Sequence, residues 1–149
     1  LVTTADGRKV LVDCATYADR TQFFEALGTR GLTPEDIDIL VLTHLHFDHC
    51  INARFFTRAR VLVCKAEYDY ANWALRQKPY GDPYTIDDPD GLLGPLKTEM
   101  VDGDTTLAPD LGLLMTPGHT PGTMSVLADT PEGRVAMASD AAQPALRST

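Results

Sequence analysis

Hydrophobic and polar positions alternate in blocks along this chain, and the blocks change period. "KVLVDC" (9–14) is a β-branched apolar run that follows the turn signal "ADG" (5–7), so "LVTTADGRKVLVD" predicts a hairpin. In "TYADRTQFFEALGTRG" (16–31) the period lengthens: Phe23, Phe24 and Leu27 share a helical face. Thr16 with Asp19 forms a capping-box pair, and Gly31 is a stop signal. "TPEDIDILVLTH" (33–44) opens with Thr33 as N-cap, Pro34 at the first helical position and Asp36 closing a short turn. It runs on into the strand "DILVLT" (38–43). A strand this continuously apolar is expected to be buried on both sheet faces.

The alternation goes on with a short helix at "NARFF" (52–56), a strand at "ARVLVC" (59–64) and a helix at "KAEYDYANWALRQ" (65–77). Within that helix Tyr68, Tyr70 and Trp73 are expected to face the core rather than form a substrate platform. From Lys78 to Lys97, "KPYGDPYTIDDPDGLLGPLK" is crowded with Pro, Gly and Asp. It reads as a long irregular loop, either a substrate rim with Tyr80 and Tyr84 as contacts or a disordered connection. The last third returns to short strands in "TEMVD", "TTLAPD", "LGLLMTPG", "MSVLAD" and "RVAMASD". The whole predicts an α/β architecture of sheets flanked by helices, in a single domain over 1–149.

Composition narrows the partners. At 149 residues and 44% hydrophobic the chain is long enough for one core. Its net charge of −8 disfavours nucleic acid and anionic membrane. No stretch approaches the roughly 20 apolar residues of a spanning helix, and the N-terminus lacks the pattern of a secretion signal, so the expectation is a soluble, cytoplasmic protein. The three cysteines, Cys14, Cys50 and Cys64, have no paired spacing and read as reduced thiols.

The candidate chemistry lies in "THLHFDHC" (43–50). His44 and His46 are two apart at the exit of a strand and so point the same way, and Asp48 and His49 follow where the chain turns into a helix. Loops at the carboxyl ends of strands are where α/β folds place their sites. Imidazole and carboxylate suit zinc, iron or manganese, whereas the absence of a cysteine pair argues against a structural zinc knuckle. The fourth histidine, His119, sits between two Pro-Gly pairs in "TPGHTPG" (116–122), and Asp140 ends the strand "VAMASD". Either residue alone would be a weak signal. Cys50 adjoins the cluster and is read as a packing residue rather than a thiolate ligand.

H-x-H-x-D-H after a strand, a later single His in T-P-G-H-T, and an Asp after a further strand resemble the metallo-β-lactamase-fold hydrolase superfamily. "THLHFDH", the start of the "KAEYDY" helix and "TPGHTPG" are most similar to its N-acyl homoserine lactone lactonase-like branch. The resemblance implies a layered αββα sandwich and one or two Zn2+ ions, with Fe or Mn as alternatives. His44, His46 and His119 would bind the first ion, Asp48 and His49 the second, and Asp140 would bridge both. A hydroxide generated from a bridging water would attack the carbonyl of a small acyl substrate such as a lactone, with Asp48 as the catalytic proton carrier. A glyoxalase II-like thioesterase shares this plan, and a catalytically weakened metal-binding remnant is the rival outside enzymes.

The family places a further histidine downstream of the bridging aspartate, but the nine residues after Asp140 contain none. The sequence also begins at Leu1, with little room for the strands that usually precede the hairpin. The expectation is therefore a fold truncated at both ends, a fragment rather than a naturally minimal chain, whose second metal site lacks one ligand. An oligomer in which a neighbouring chain supplies ligands is left open.

Overall fold

The computed structural model describes residues 1–77 and 88–142. Two sheets result. The first takes the spatial order of β1 (Val2–Thr3), β2 (Lys9–Val12), β3 (Ile39–Val41), β4 (Arg60–Cys64) and β5 (Lys97–Val101). β1 and β2 are the antiparallel hairpin, with Val2 opposite Val10, and every later pair is parallel. The second sheet is an antiparallel meander of β6 (Thr105–Ala108), β7 (Leu111–Met115), β8 (Met124–Thr130) and β9 (Gly133–Met137).

The period-2 rule sorts the first sheet's side chains into two cores. Leu11, Leu40, Leu42, Val61 and Val63 point to one side and pack with Leu27 of α1 (Arg20–Gly28) and with Ala71 and Ala74 of α3 (Lys65–Gln77). Val10, Ile39, Val41, Leu62, Cys64 and Val101 point to the other side. There they meet Leu111, Leu113, Met124, Val126 and Ala128 of the second sheet. All of β3 is buried, as a strand with a packed layer on each face must be. The described residues thus supply helix, sheet and sheet layers in that order. β9 is largely exposed, with Val135 at 47%.

Two sequence expectations need correction. The segment 78–97 is not wholly irregular: α4 (Pro89–Leu93) forms with Pro89 in its first turn and the Asp88 carboxylate accepting from the Asp90 N–H, and Lys97 already belongs to β5. α4 buries Leu92 and Leu93 in the helical core. Tyr80 and Tyr84 lie outside the described residues. The aromatic group on α3 also divides: Tyr68 and Tyr70 pack partly against the core, whereas Trp73 is 50% exposed and stacks on Tyr70. Small residues, Ala71 and Ala74, take the buried positions instead, so the helix can approach the sheet closely.

Among the described residues no helix is long and apolar enough to cross a membrane.

Candidate metal centre

Three connections meet at one end of the two sheets. The β3 exit carries His44 and His46 and turns into the one-turn helix α2 (Phe47–Cys50), which presents Asp48 and His49. The β7–β8 turn carries His119, and a 3-10 turn after β9 (Ser139–Ala142) carries Asp140. The Met124 N–H donates to the Thr43 carbonyl at 2.9 Å and ties β8 to the end of β3, which brings these loops face to face.

The side chains converge. His46 Nδ1 lies 3.1 Å from His44 Nε2 and 3.0 Å from His119 Nε2. The Asp140 carboxylate stands 3.2 Å from His119 Nε2, 3.7 Å from His49 Nε2 and 3.8 Å from His44 Nε2. Two sets of donor atoms each fall within 4.8 Å: His44, His46 and His119, and His44, His49 and Asp140. Asp48 stands at the margin, outside both sets, with its side chain 43% exposed and its carboxylate 3.6 Å from His49 Nε2.

This donor set fits a divalent cation. Ring nitrogens that face one another at this distance can share one proton per contact at most, so lone pairs are left pointing at a common centre. With Zn–N of 2.0–2.1 Å, tetrahedral coordination separates nitrogens by roughly 3.4 Å, close to the spacing found.

Burial and neighbouring charge together set the protonation of these imidazoles. Burial, reinforced by the other imidazoles, pushes His44 down to about 2, and burial together with His119 pushes His46 down to about 4. Both are therefore neutral imidazoles at physiological pH. For His49 burial acts downward but is outweighed by its bond to Asp13 and by the charges of Asp13, Asp48 and Asp140, which raise its pKa.

A polar layer that sequence reasoning missed holds these groups. Asp13, in the left-handed region at φ 57°, accepts from His49 Nδ1 and from the Thr43 hydroxyl, both at 2.8 Å, and from the Thr43 N–H at 2.8 Å. With its one proton committed to Asp13, Thr43 Oγ1 accepts from His44 Nδ1–H at 3.1 Å, which leaves the Nε2 lone pair facing the cluster. Ser139, at φ 47° and directly before Asp140, lies 3.0 Å from Thr43 Oγ1. Glu67, fully buried on α3, accepts from the Leu45 N–H. Cys50 is buried, its thiol pKa raised by burial, and its Sγ donates to the His46 carbonyl at 3.2 Å; it belongs to neither donor set.

A helix-covered sheet stacked on a second sheet, with a His/Asp cluster at the strand ends, defines a layered α/β protein with a metal-competent centre. The chain belongs to the metallo-beta-lactamase superfamily, whose profile matches residues 1–147. It is 33% identical over 100 residues to the N-acyl homoserine lactonase of Bacillus cereus, an alignment that covers 67% of this chain and 36% of that protein. It is 30% identical over 120 residues to the metallo-beta-lactamase domain-containing protein 1 of Xenopus laevis, covering 80% of this chain and 48% of that one. A crystal structure of a quorum-quenching N-acyl homoserine lactone hydrolase superposes with a TM-score of 0.71 at 27% identity, covering 90% of this chain and 57% of that one. The chain therefore spans less than half the length of these two curated relatives.

Proposed function

We propose that this chain carries the metal centre of a metal-dependent hydrolase acting on small acyl substrates, with N-acyl homoserine lactones as the substrate class. The observation that carries the reading is the convergence of His44, His46 and His119 ring nitrogens with the Asp140 carboxylate beside them. The likeness to lactonases supports the choice of substrate.

In this reading His44, His46 and His119 would hold one Zn2+, Asp48 and His49 would contribute to a second, and Asp140 would serve both. When bound, the ions supply Lewis acidity that acidifies water and polarises a carbonyl. The chain's own groups do the rest. Asp13 and Thr43 fix the tautomers of His49 and His44. Asp48, open to solvent, accepts the proton of the attacking water and returns it to the ring oxygen as the C–O bond breaks. Phe47, 41% exposed between His46 and Asp48, offers an apolar surface to an acyl chain.

The test is hydrolysis of an N-acyl homoserine lactone and of an acyl-glutathione thioester by the chain supplied with Zn2+ or Mn2+. Lactone opening that is abolished by a chelator and reduced by at least about 100-fold in Asp48→Ala is expected, in line with general acid–base catalysis. Turnover of the thioester alone would redirect the reading to a thioesterase. An Asp48→Ala variant as active as the parent would overturn the mechanism.

A further inference from the structure

Glu67 lies in the first turn of α3 and is 0% exposed, an expensive place for a carboxylate unless every oxygen is used. Its oxygens are used on two separate loops. Oε1 accepts from the Leu45 N–H at 2.9 Å, and Oε2 accepts from the Thr120 hydroxyl at 2.5 Å and from the Gly122 N–H at 3.2 Å. Leu45 stands between His44 and His46, and Thr120 follows His119 directly. Thus one carboxylate fastens the loop bearing two imidazoles to the loop bearing the third. The approach at Gly122 is so close that a Cβ there would lie 2.3 Å from the Glu67 backbone nitrogen, so the glycine exists to let the loop reach this carboxylate.

We propose that Glu67 is a positioning residue. Acting through the backbone of both loops, it sets the separation of His44 and His46 from His119 and thereby the affinity and coordination geometry for a divalent cation. The proposal rests on the reading that these three histidines hold a metal. It differs from a purely stabilising role, because a carboxylate that served only the fold could be replaced by an amide of the same shape without changing how the cluster binds metal.

The experiment uses Co2+ as the probe, its visible absorption reporting coordination geometry and a chelator competition reporting affinity. Glu67→Gln fills the same space and keeps one acceptor, but presents an amide donor where the other oxygen accepted. Thr120→Val removes the hydroxyl that Glu67 holds, together with its 2.7 Å contact to the Thr123 hydroxyl inside the same loop. Glu67→Gln is expected to bind Co2+ about 10- to 100-fold more weakly, the range for partners that orient metal ligands. Its visible bands should be altered while its apo far-UV circular dichroism is unchanged. Thr120→Val should shift both readouts in the same direction by less, and the double variant should fall short of the sum, because both act on one contact. Parental affinity and spectrum in both variants would overturn the clamp while leaving the metal centre intact. If Glu67→Gln does not fold, Thr120→Val decides alone by the same criterion. A parent chain that takes up no Co2+ overturns the metal reading and the clamp with it.

Discussion

Asp13 and His49, 36 residues apart in sequence, share a 2.8 Å hydrogen bond in which the imidazole Nδ1–H donates to the carboxylate. The bond directs His49 Nε2 towards Asp48 and Asp140, and the same carboxylate holds Thr43, the neighbour of His44. Asp13→Asn tests it. Asn tolerates the left-handed backbone at this position, so the fold should survive, but its amide nitrogen turns one acceptor into a donor facing a donor. Within the proposed two-ion reading, the expected result is a roughly 10- to 100-fold loss of Zn2+ affinity, largest at the site that uses His49, with a smaller loss where Thr43 carries the effect to His44. Calorimetric titration reads this directly, and parental Zn2+ affinity in the variant would reject Asp13 as the group that orients His49.

Asn52 supports Asp13 from below. Fully buried, it donates through Nδ2 to the carbonyls of Cys14, Ala15 and Thr16 at 2.9–3.0 Å, holding a turn in which both Asp13 and Ala15 have positive φ. Asn52→Ala strips three carbonyls of their donor and leaves a small cavity. The expected loss is about 2–3 kcal/mol of stability, the scale for buried groups left unpaired. Urea unfolding with an unchanged m-value and a lower midpoint would show it.

Much of this was legible in the sequence because the signals are local. The span 65–77 was readable as a helix, and the structure forms α3 over Lys65–Gln77; Thr33 is the N-cap of a short turn over Pro34–Asp36 as expected, and the Asp36 carboxylate accepts from the Thr33 N–H. Thr16 and Asp19 do bond reciprocally, but one turn ahead of α1, where Asp19 itself is the N-cap. The H-x-H-x-D-H string, His119 and Asp140 could be named because each sits in a recognisable loop. The groups that hold them could not. Asp13 reaches its partners across 30 and 36 residues, and Glu67 across 22, 53 and 55, so no window of sequence contains either contact. α4 escaped for a different reason: five residues including Pro89 and Gly91 have poor helix propensity, and burial of Leu92 and Leu93 decides the outcome.

Gly122 supplies a prediction about space. A Cβ there would lie 2.5 Å from Glu67 Cβ and 2.6 Å from its Cα, contacts with a helix backbone that cannot swing aside. Gly122→Ala must move either α3 or the His119 loop, at a cost of about 2–3 kcal/mol by analogy with overpacked cores. A thermal melt should show the loss. Gly118→Ala, one residue before His119, is the control: it meets nothing within 4 Å, and its strain comes from backbone conformation at φ 158° alone. If the two substitutions shift the melting temperature equally, close packing on Glu67 is not what selects glycine at 122.

The histidines also predict how the metal-free chain responds to acid. His44 and His46 have folded pKa values depressed by burial to about 2 and about 4, against 6.5 in an unfolded chain. Below pH 6.5 the unfolded state therefore takes up protons that the folded state refuses, and stability falls as pH falls, through about 4 for His46 and on towards 2 for His44. His49 has the opposite sign: its raised pKa adds stability below 6.5 that is lost as pH rises through its folded value. Two depressed imidazoles against one raised one predict a melting temperature that declines from pH 7 to pH 4 in the presence of a chelator. His46→Gln removes one of the depressed groups and should flatten that decline, while Asp13→Asn weakens the bond that favours protonated His49 and should steepen it. A pH slope identical in parent and His46→Gln would place the acid sensitivity outside the cluster.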